Sequence, residues 1–255
     1  MSGHSKWATI KHKKAAVDKA RGKIFAKLSR QLEVAAKDHG GDVSTNAALR
    51  TIVLKAKAAQ MTNDAIDRAI KRGTGVGSGA VYESITYEAY APGGVAMLID
   101  VLTDNRNRTA ADVRIIFSKL GGSMAEPGAV SWQFSRKGVL HIARSVNEDD
   151  LMSVALDAGA DDISDDGDSW LVVCDPHKVE ELKSALVTVG MSVLSATSTM
   201  ISSLLVPVTK MSDAKAVLHI MDELDENDDV QDVYSNFDIA EEILTQAAPN
   251  NVAAQ

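Results

Sequence analysis

The sequence predicts an α+β protein: an N-terminal three-helix domain followed by two α+β (ferredoxin-like) domains, one inserted in the other. Three observations lead there. Apolar residues recur at helical spacing through about the first 75 positions and at strand spacing in many segments beyond them. Between the two regimes stands Gly73-Thr74-Gly75-Val76-Gly77-Ser78-Gly79, an alternation that reads as a linker. Residues 139–200 then run in the order β-α-β-β-α-β, with strand and helix segments on either side left to complete another unit. A chain of 255 residues, 45% hydrophobic, has the length and apolar content for two or three cored domains. The expected divisions are a basic arm, helical domain and linker over 1–79, a discontinuous α+β domain over 80–135 and 204–242, an inserted one over 136–203, and a frayed tail over 243–255.

The first 15 residues read as an arm, with little apolar periodicity. A helix is expected over about 15–37, stopping before Gly40-Gly41. Val17, Ala20, Ile24, Phe25, Leu28, Leu32 and Ala35 fall on one side of it. Lys19, Lys23, Lys27, Arg30 and Lys37 gather on the other. Leu49, Ile52, Val53 and Ala56 mark a second helix over about 45–60. A third opens at Thr62-Asn63-Asp64 and closes at Lys71-Arg72-Gly73, with Ile66, Ala69 and Ile70 facing inward. Beyond the linker, strands are expected over 85–90 and 95–102, joined through Pro92-Gly93-Gly94, and a helix over 109–120. Residues 130–134 read as another strand. The inserted unit has a strand over 139–143, a helix over 148–157, a hairpin about Asp165-Asp166-Gly167-Asp168 whose second arm is 170–174, a helix over 177–189 and an extended segment over 192–200. A strand at 204–206, a helix over 212–224 and a strand at 230–234 return to the interrupted domain.

Charge is segregated along the chain. Residues 1–75 carry 16 Lys/Arg and 6 Asp/Glu; the remainder carries 11 Lys/Arg and 29 Asp/Glu. The net charge of −8 therefore hides a basic end that suits a polyanion and an acidic body that repels one. Solvated faces with some attraction between domains are the alternative. Within the arm, Lys6, Lys11, Lys13 and Lys14 can neutralise phosphates, with His4 and His12 beside them. Trp7 can stack on a base or wedge into a groove, or fold back on its own domain. Arg21 joins Lys19, Lys23, Lys27 and Arg30 as a candidate backbone contact.

Other chemistries find little support. In Asp161-Asp162-Ile163-Ser164-Asp165-Asp166-Gly167-Asp168, a calcium loop fails because its twelfth position is Val173 and strands flank it. The acidic run over 222–229 reads as a solvated helix end and loop. Six scattered histidines offer no metal-site spacing, and Cys174 sits in an apolar strand as a core residue. No metal, cofactor or catalytic residue is expected, and the chain reads as a non-enzyme. No apolar run approaches the roughly 18 residues of a membrane span. The opening residues have neither the apolar stretch nor the cleavage site of a secretory signal, so a cytoplasmic protein with no membrane partner is expected. In Thr103-Asp104-Asn105-Arg106-Asn107-Arg108-Thr109, Arg106 and Arg108 have two readings. One is a capped turn, with Asn107 or Thr109 as the cap and an arginine paired to Asp104 or Asp112. The other is a contact with phosphate or RNA at a loop tip.

Several separated motifs resemble the YebC/PmpR family: Gly3-His4-Ser5-Lys6-Trp7, Ile10-Lys11-His12-Lys13-Lys14, Asp18, Arg21-Gly22-Lys23, the 87–96 segment, 103–109, and Val130-Ser131-Trp132-Gln133-Phe134. The resemblance spans nearly the whole chain. Ala89 and Ala91 stand where the family pattern has glycine, and residues 123–127 depart from its Gly/Asn-rich stretch. The resemblance implies three domains and a cytoplasmic DNA-binding transcriptional regulator. It also implies an alternative, since mitochondrial members resemble translational activators of cytochrome c oxidase and bacterial ones are linked to ribosomes stalled on proline-rich stretches. The partner is then nucleic acid, DNA or rRNA, with the ribosome behind the second choice. The best helix pair, 45–60 and 63–72, has no base-reading face, and a basic arm with an aromatic suits structured RNA as well as DNA.

Overall fold

The computed structural model describes residues 17–75 and 81–247. Three helices come first: α1 (Val17–His39), α2 (Ala47–Ala58) and α3 (Asn63–Thr74). Leu28, Leu32, Ala35 and Ala36 of α1 bury against Leu49, Val53 and Ala56 of α2 and Ile66 and Ala69 of α3. Ile24, placed on the inner face by the sequence, is instead exposed. The buried Asn46 ties the bundle together. Its Oδ1 accepts from Leu49 N at 3.0 Å to cap α2, and its Nδ2 donates to the Ala35 and Gly40 carbonyls at 2.8 Å each. Gly73 belongs to this packing rather than to a helix stop. A Cβ there would meet the Glu33 carbonyl oxygen at 2.1 Å, so α3 lies against α1 only because the side chain is missing.

Next come β1 (Glu83–Ala91), β2 (Val95–Thr103), α4 (Arg106–Lys119) and β3 (Ser123–Ala125). β1 and β2 pair antiparallel from Glu83↔Thr103 to Ala91↔Val95. They turn through Pro92-Gly93-Gly94, where both glycines have positive φ. The chain then leaves this sheet to build another: β4 (Phe134–Ala143), α5 (Glu148–Asp157), β5 (Ala160–Asp165), β6 (Ser169–Cys174), α6 (Val179–Thr188) and β7 (Val193–Ser202). Its strand order, β5-β6-β4-β7, is the ferredoxin-like arrangement. Leu140, Ile142, Val172 and Cys174 face Leu151, Ala155, Leu182 and Leu186 of its two helices.

The return leg is β8 (Val206–Pro207), α7 (Met211–Glu226), β9 (Val230–Ser235), β10 (Phe237–Asp238) and α8 (Glu241–Ala247). β9 completes the first sheet in the order β3-β1-β2-β9, and β8 pairs with β10 in parallel. One face of that sheet is covered by α4 and α7, around Met97, Ile99, Phe117, Val217 and Leu218. β2 is central and covered on both sides, which is why it reads as an apolar run with no alternation.

Three local expectations differ from the structure. Residues 131–133 form a 3-10 turn, because the chain must redirect there from one sheet to the other, and a single strand then runs from Phe134 to Ala143. Residues 241–247 form a helix whose Leu244 is fully buried against the first sheet's core, where a frayed tail was expected. α4 starts at Arg106, capped by Asn105, whose Oδ1 accepts from Arg108 N at 3.1 Å.

Candidate nucleic-acid interface

The predicted cationic stripe of α1 follows from helical spacing: Lys23, Lys27 and Arg30 are four and three residues apart and share one flank of the helix. That flank faces the end of α7 and the start of β9. Lys23 Nζ donates to the Glu226 carbonyl oxygen at 2.9 Å and pairs with its carboxylate. Lys27 Nζ reaches Asp225 O at 3.1 Å and Oδ1 at 3.3 Å. Arg30 Nη1 donates to Asp229 Oδ1 at 2.7 Å and to the Leu102 and Asp228 carbonyls at 2.9 and 3.0 Å, while its guanidinium carbon lies 5.1 Å from the Tyr82 ring centroid. Gln31 continues the row, donating to Gln231 Oε1 at 3.0 Å.

Asp229 is where this row meets the arginine turn. Its Oδ2 accepts from Arg108 Nη2 at 2.8 Å, Thr109 Oγ1 at 2.6 Å and Thr103 Oγ1 at 3.0 Å. Burial works to raise this carboxyl's pKa, but hydrogen bonds from Arg108, Thr109, Arg30 and Thr103 outweigh it and hold the pKa at about 2. Asp229 is therefore a fixed anion at neutral pH. Arg108 also bonds Asp104 Oδ1 at 2.8 Å, and both carboxylates raise its own pKa.

The structure thus sorts the candidate residues. Lys23, Lys27 and Arg30 come together, on carboxylates of their own chain. Arg108 holds the turn, as the capped-turn reading expects, though the cap is Asn105 and Thr109 serves Asp229. Arg106 is exposed at the first position of α4. Lys19 and Arg21 fall within α1. His4, Lys6, Trp7, Lys11, His12, Lys13 and Lys14 lie outside the described residues. Arg50, Lys55, Lys57, Arg68 and Lys71 add exposed cations on α2 and α3.

The acidic run over 222–229 corrects its expectation as a merely solvated helix end. Asp229 is 5% exposed and is the electrostatic centre of the junction. Composition could not single it out from the five other acids of the run; its place beside two threonines and two arginines arises only in three dimensions. Trp132 also differs: expected in a strand, it is 66% exposed on the 131–133 turn, where its Nε1 and the Tyr90 hydroxyl each donate to Ala129 O at 3.1 Å. The loop carrying it is held by the buried carboxylate of Glu88, which accepts from the backbone N–H of Gly128, Val130 and Ser131 at 2.6–2.9 Å. Among the described residues, no group of three His, Cys, Asp or Glu is placed to hold a metal ion, and no helix is long and apolar enough to cross a membrane.

Comparison with known proteins gives consistent matches. Residues 5–76 match the model of the TACO1/YebC protein N-terminal domain, and residues 82–237 match that of the TACO1/YebC second and third domain. A "Probable transcriptional regulatory protein" of Rubrobacter xylanophilus is 52% identical over 250 residues, covering 97% of this chain and all of that one. A protein of the same description from a Geobacter species is 49% identical, covering 95% of this chain and 98% of its own. The crystal structure of a conserved hypothetical protein from Aquifex aeolicus superposes with a TM-score of 0.79 at 40% identity, covering 94% of this chain and 99% of that one.

Proposed function

The chain belongs to the TACO1/YebC family, and from that premise we propose that it is a nucleic-acid-binding regulator of gene expression, acting on DNA through the basic segment of residues 1–75. The observation that carries the reading is the segregation of charge. Sixteen cations against six anions precede residue 76, and the order inverts to 11 against 29 after it. A polyanion is attracted to one end and repelled by the other, so binding is orientated. The contacts are with phosphates. Lys6, Lys11, Lys13 and Lys14 neutralise charge, with Trp7 as a stacking or wedging side chain and Arg106 as an exposed outlier on the first α+β unit. DNA is favoured over RNA by the relatives' description as transcriptional regulators.

The test is crosslinking in living cells followed by sequencing of the bound nucleic acid. Discrete promoter peaks support the reading. Crosslinks concentrated in rRNA, mapped to the basic segment, would replace it with that of a ribosome-associated translation factor. In vitro, replacing the four arm lysines with alanine flattens the log–log salt dependence of duplex binding by up to about 0.9 per lost phosphate contact. An unchanged slope removes the arm from the interface.

A further inference from the structure

The helix flank that the sequence marks for phosphates is occupied by the protein itself. Lys23, Lys27 and Arg30 meet a short row of oxygens at the close of α7: the carboxylates of Asp225, Glu226 and Asp229 and the carbonyls of Asp225, Glu226 and Asp228. Carboxylates and negatively polarised helix-end carbonyls present to these cations what a sugar-phosphate backbone presents, closely spaced anionic oxygens. We propose that residues 225–229 are an internal competitor for nucleic acid, so that the α1 stripe is offered to a phosphate backbone only when the acidic turn releases it. The proposal rests on the nucleic-acid reading above and concerns the regulation of that site.

The two ends of the row have different roles. Arg30 makes three bonds, one of them to the nearly buried Asp229, which Arg108, Thr103 and Thr109 also hold. This end is an anchor. At the other end Glu226 and Asp225 keep 59% and 50% of their side-chain surface exposed, so their pairs with Lys23 and Lys27 are screened by salt and open to exchange. A nucleic-acid strand arriving with the arm displaces the lysine pairs first. Each displaced carboxylate regains water, and each lysine gains a phosphate and releases a condensed counterion.

The test uses the full chain in two measurements. First, the double variant Asp225→Asn/Glu226→Gln keeps the shapes and removes the two charges. It is compared with wild type and with Glu180→Gln/Glu181→Gln, which removes the same charge from the exposed α6 surface of the third unit. Binding to a random DNA duplex is followed by fluorescence anisotropy across a salt series. The competitor predicts roughly tenfold tighter binding at low salt for the 225/226 variant alone, because its lysines reach phosphates without first giving up two carboxylates. Second, zero-length carbodiimide coupling of wild type yields a Lys23–Glu226 amide, read by mass spectrometry, and saturating duplex suppresses it. Equal affinities for the 225/226 variant and wild type, or equal gains in both variants, overturn the competitor while leaving nucleic-acid binding intact. So does a Lys23–Glu226 crosslink that persists at saturation. No duplex binding by any of the three proteins overturns the functional reading as well.

Discussion

Where the two sheets meet, the contacts are apolar: Ala96, Leu98 and Tyr234 on the outer face of the first sheet close on Val130, Phe134 and the half-buried Met200. Where the helical unit meets the first sheet, they are ionic: Lys23, Lys27 and Arg30 on Asp225, Glu226 and Asp229. The first junction is also crossed twice by the chain, and the crossings are stapled. Ser203 N donates to Gln133 O at 2.8 Å, while Asn236 Nδ2 donates to Gln133 Oε1 at 2.9 Å and Asn236 Oδ1 accepts from Ala96 N at 2.8 Å. Burial of apolar area is insensitive to moderate salt, whereas the two lysine pairs, with half-exposed carboxylates, contribute little and are screened, leaving the nearly buried Arg30–Asp229 pair as the fixed point of the ionic junction. Within one chain, then, one junction is built to stay closed and the other to respond to ions and polyanions.

The largest effect is expected at the apolar junction. Phe134→Ala lowers stability by about 3 kcal/mol, through lost burial and the cavity left between the sheets. Urea unfolding followed by the fluorescence of Trp132 and Trp170 measures it, and a loss that varies strongly with salt would contradict the assigned character of this junction. Asp229→Ala comes next, at about 2–3 kcal/mol, because it strands two arginines and two threonine hydroxyls that shared one carboxylate. Its milder relative Asp229→Asn bears on pH. The folded carboxyl titrates at about 2, below its ordinary 3.8, so the folded state binds fewer protons than the unfolded one between those values. The stability it adds is complete above the unfolded pKa and is lost as pH falls towards 2. Acid unfolding curves of wild type and Asp229→Asn should therefore converge at low pH, and parallel curves would show that Asp229 is not the titrating partner.

Gly73→Ala is expected to cost about 2 kcal/mol, since its Cβ runs into the Glu33 carbonyl and pushes α3 off α1. Far-ultraviolet circular dichroism during heating should show the helical unit melting earlier. If the glycine served only as a linker, the change would be within error. The smallest effect belongs to Lys23→Ala/Lys27→Ala, under about 1 kcal/mol and vanishing at high salt. A larger loss that survived high salt would make the ionic junction a structural clamp and remove the contrast with the apolar one.

Much of the architecture is written in local pattern. The change of period near residue 80, the Pro92-Gly93-Gly94 turn, the β-α-β-β-α-β segment and the basic flank of α1 are all visible along the chain, because helix faces and strand alternation depend on spacing alone. So is the cap at Thr62, where a side chain serves an amide three residues on, whereas the cap at Asn46 lies inside the span expected to be helical. The sequence by itself therefore determined the fold class, the family and the place where positive charge gathers. What that charge touches was decided only by tertiary structure. Arg30 and Asp229 are 199 positions apart and Arg108 and Asp229 121 apart, and no local pattern pairs them. The same holds for Gly73, whose missing side chain matters to a carbonyl 40 residues earlier, and for 241–247, whose helix is buried on a sheet begun near residue 83. Long-range contacts of this kind depend on how preformed elements dock, and an acid at a helix end reads as solvated until another domain is laid against it.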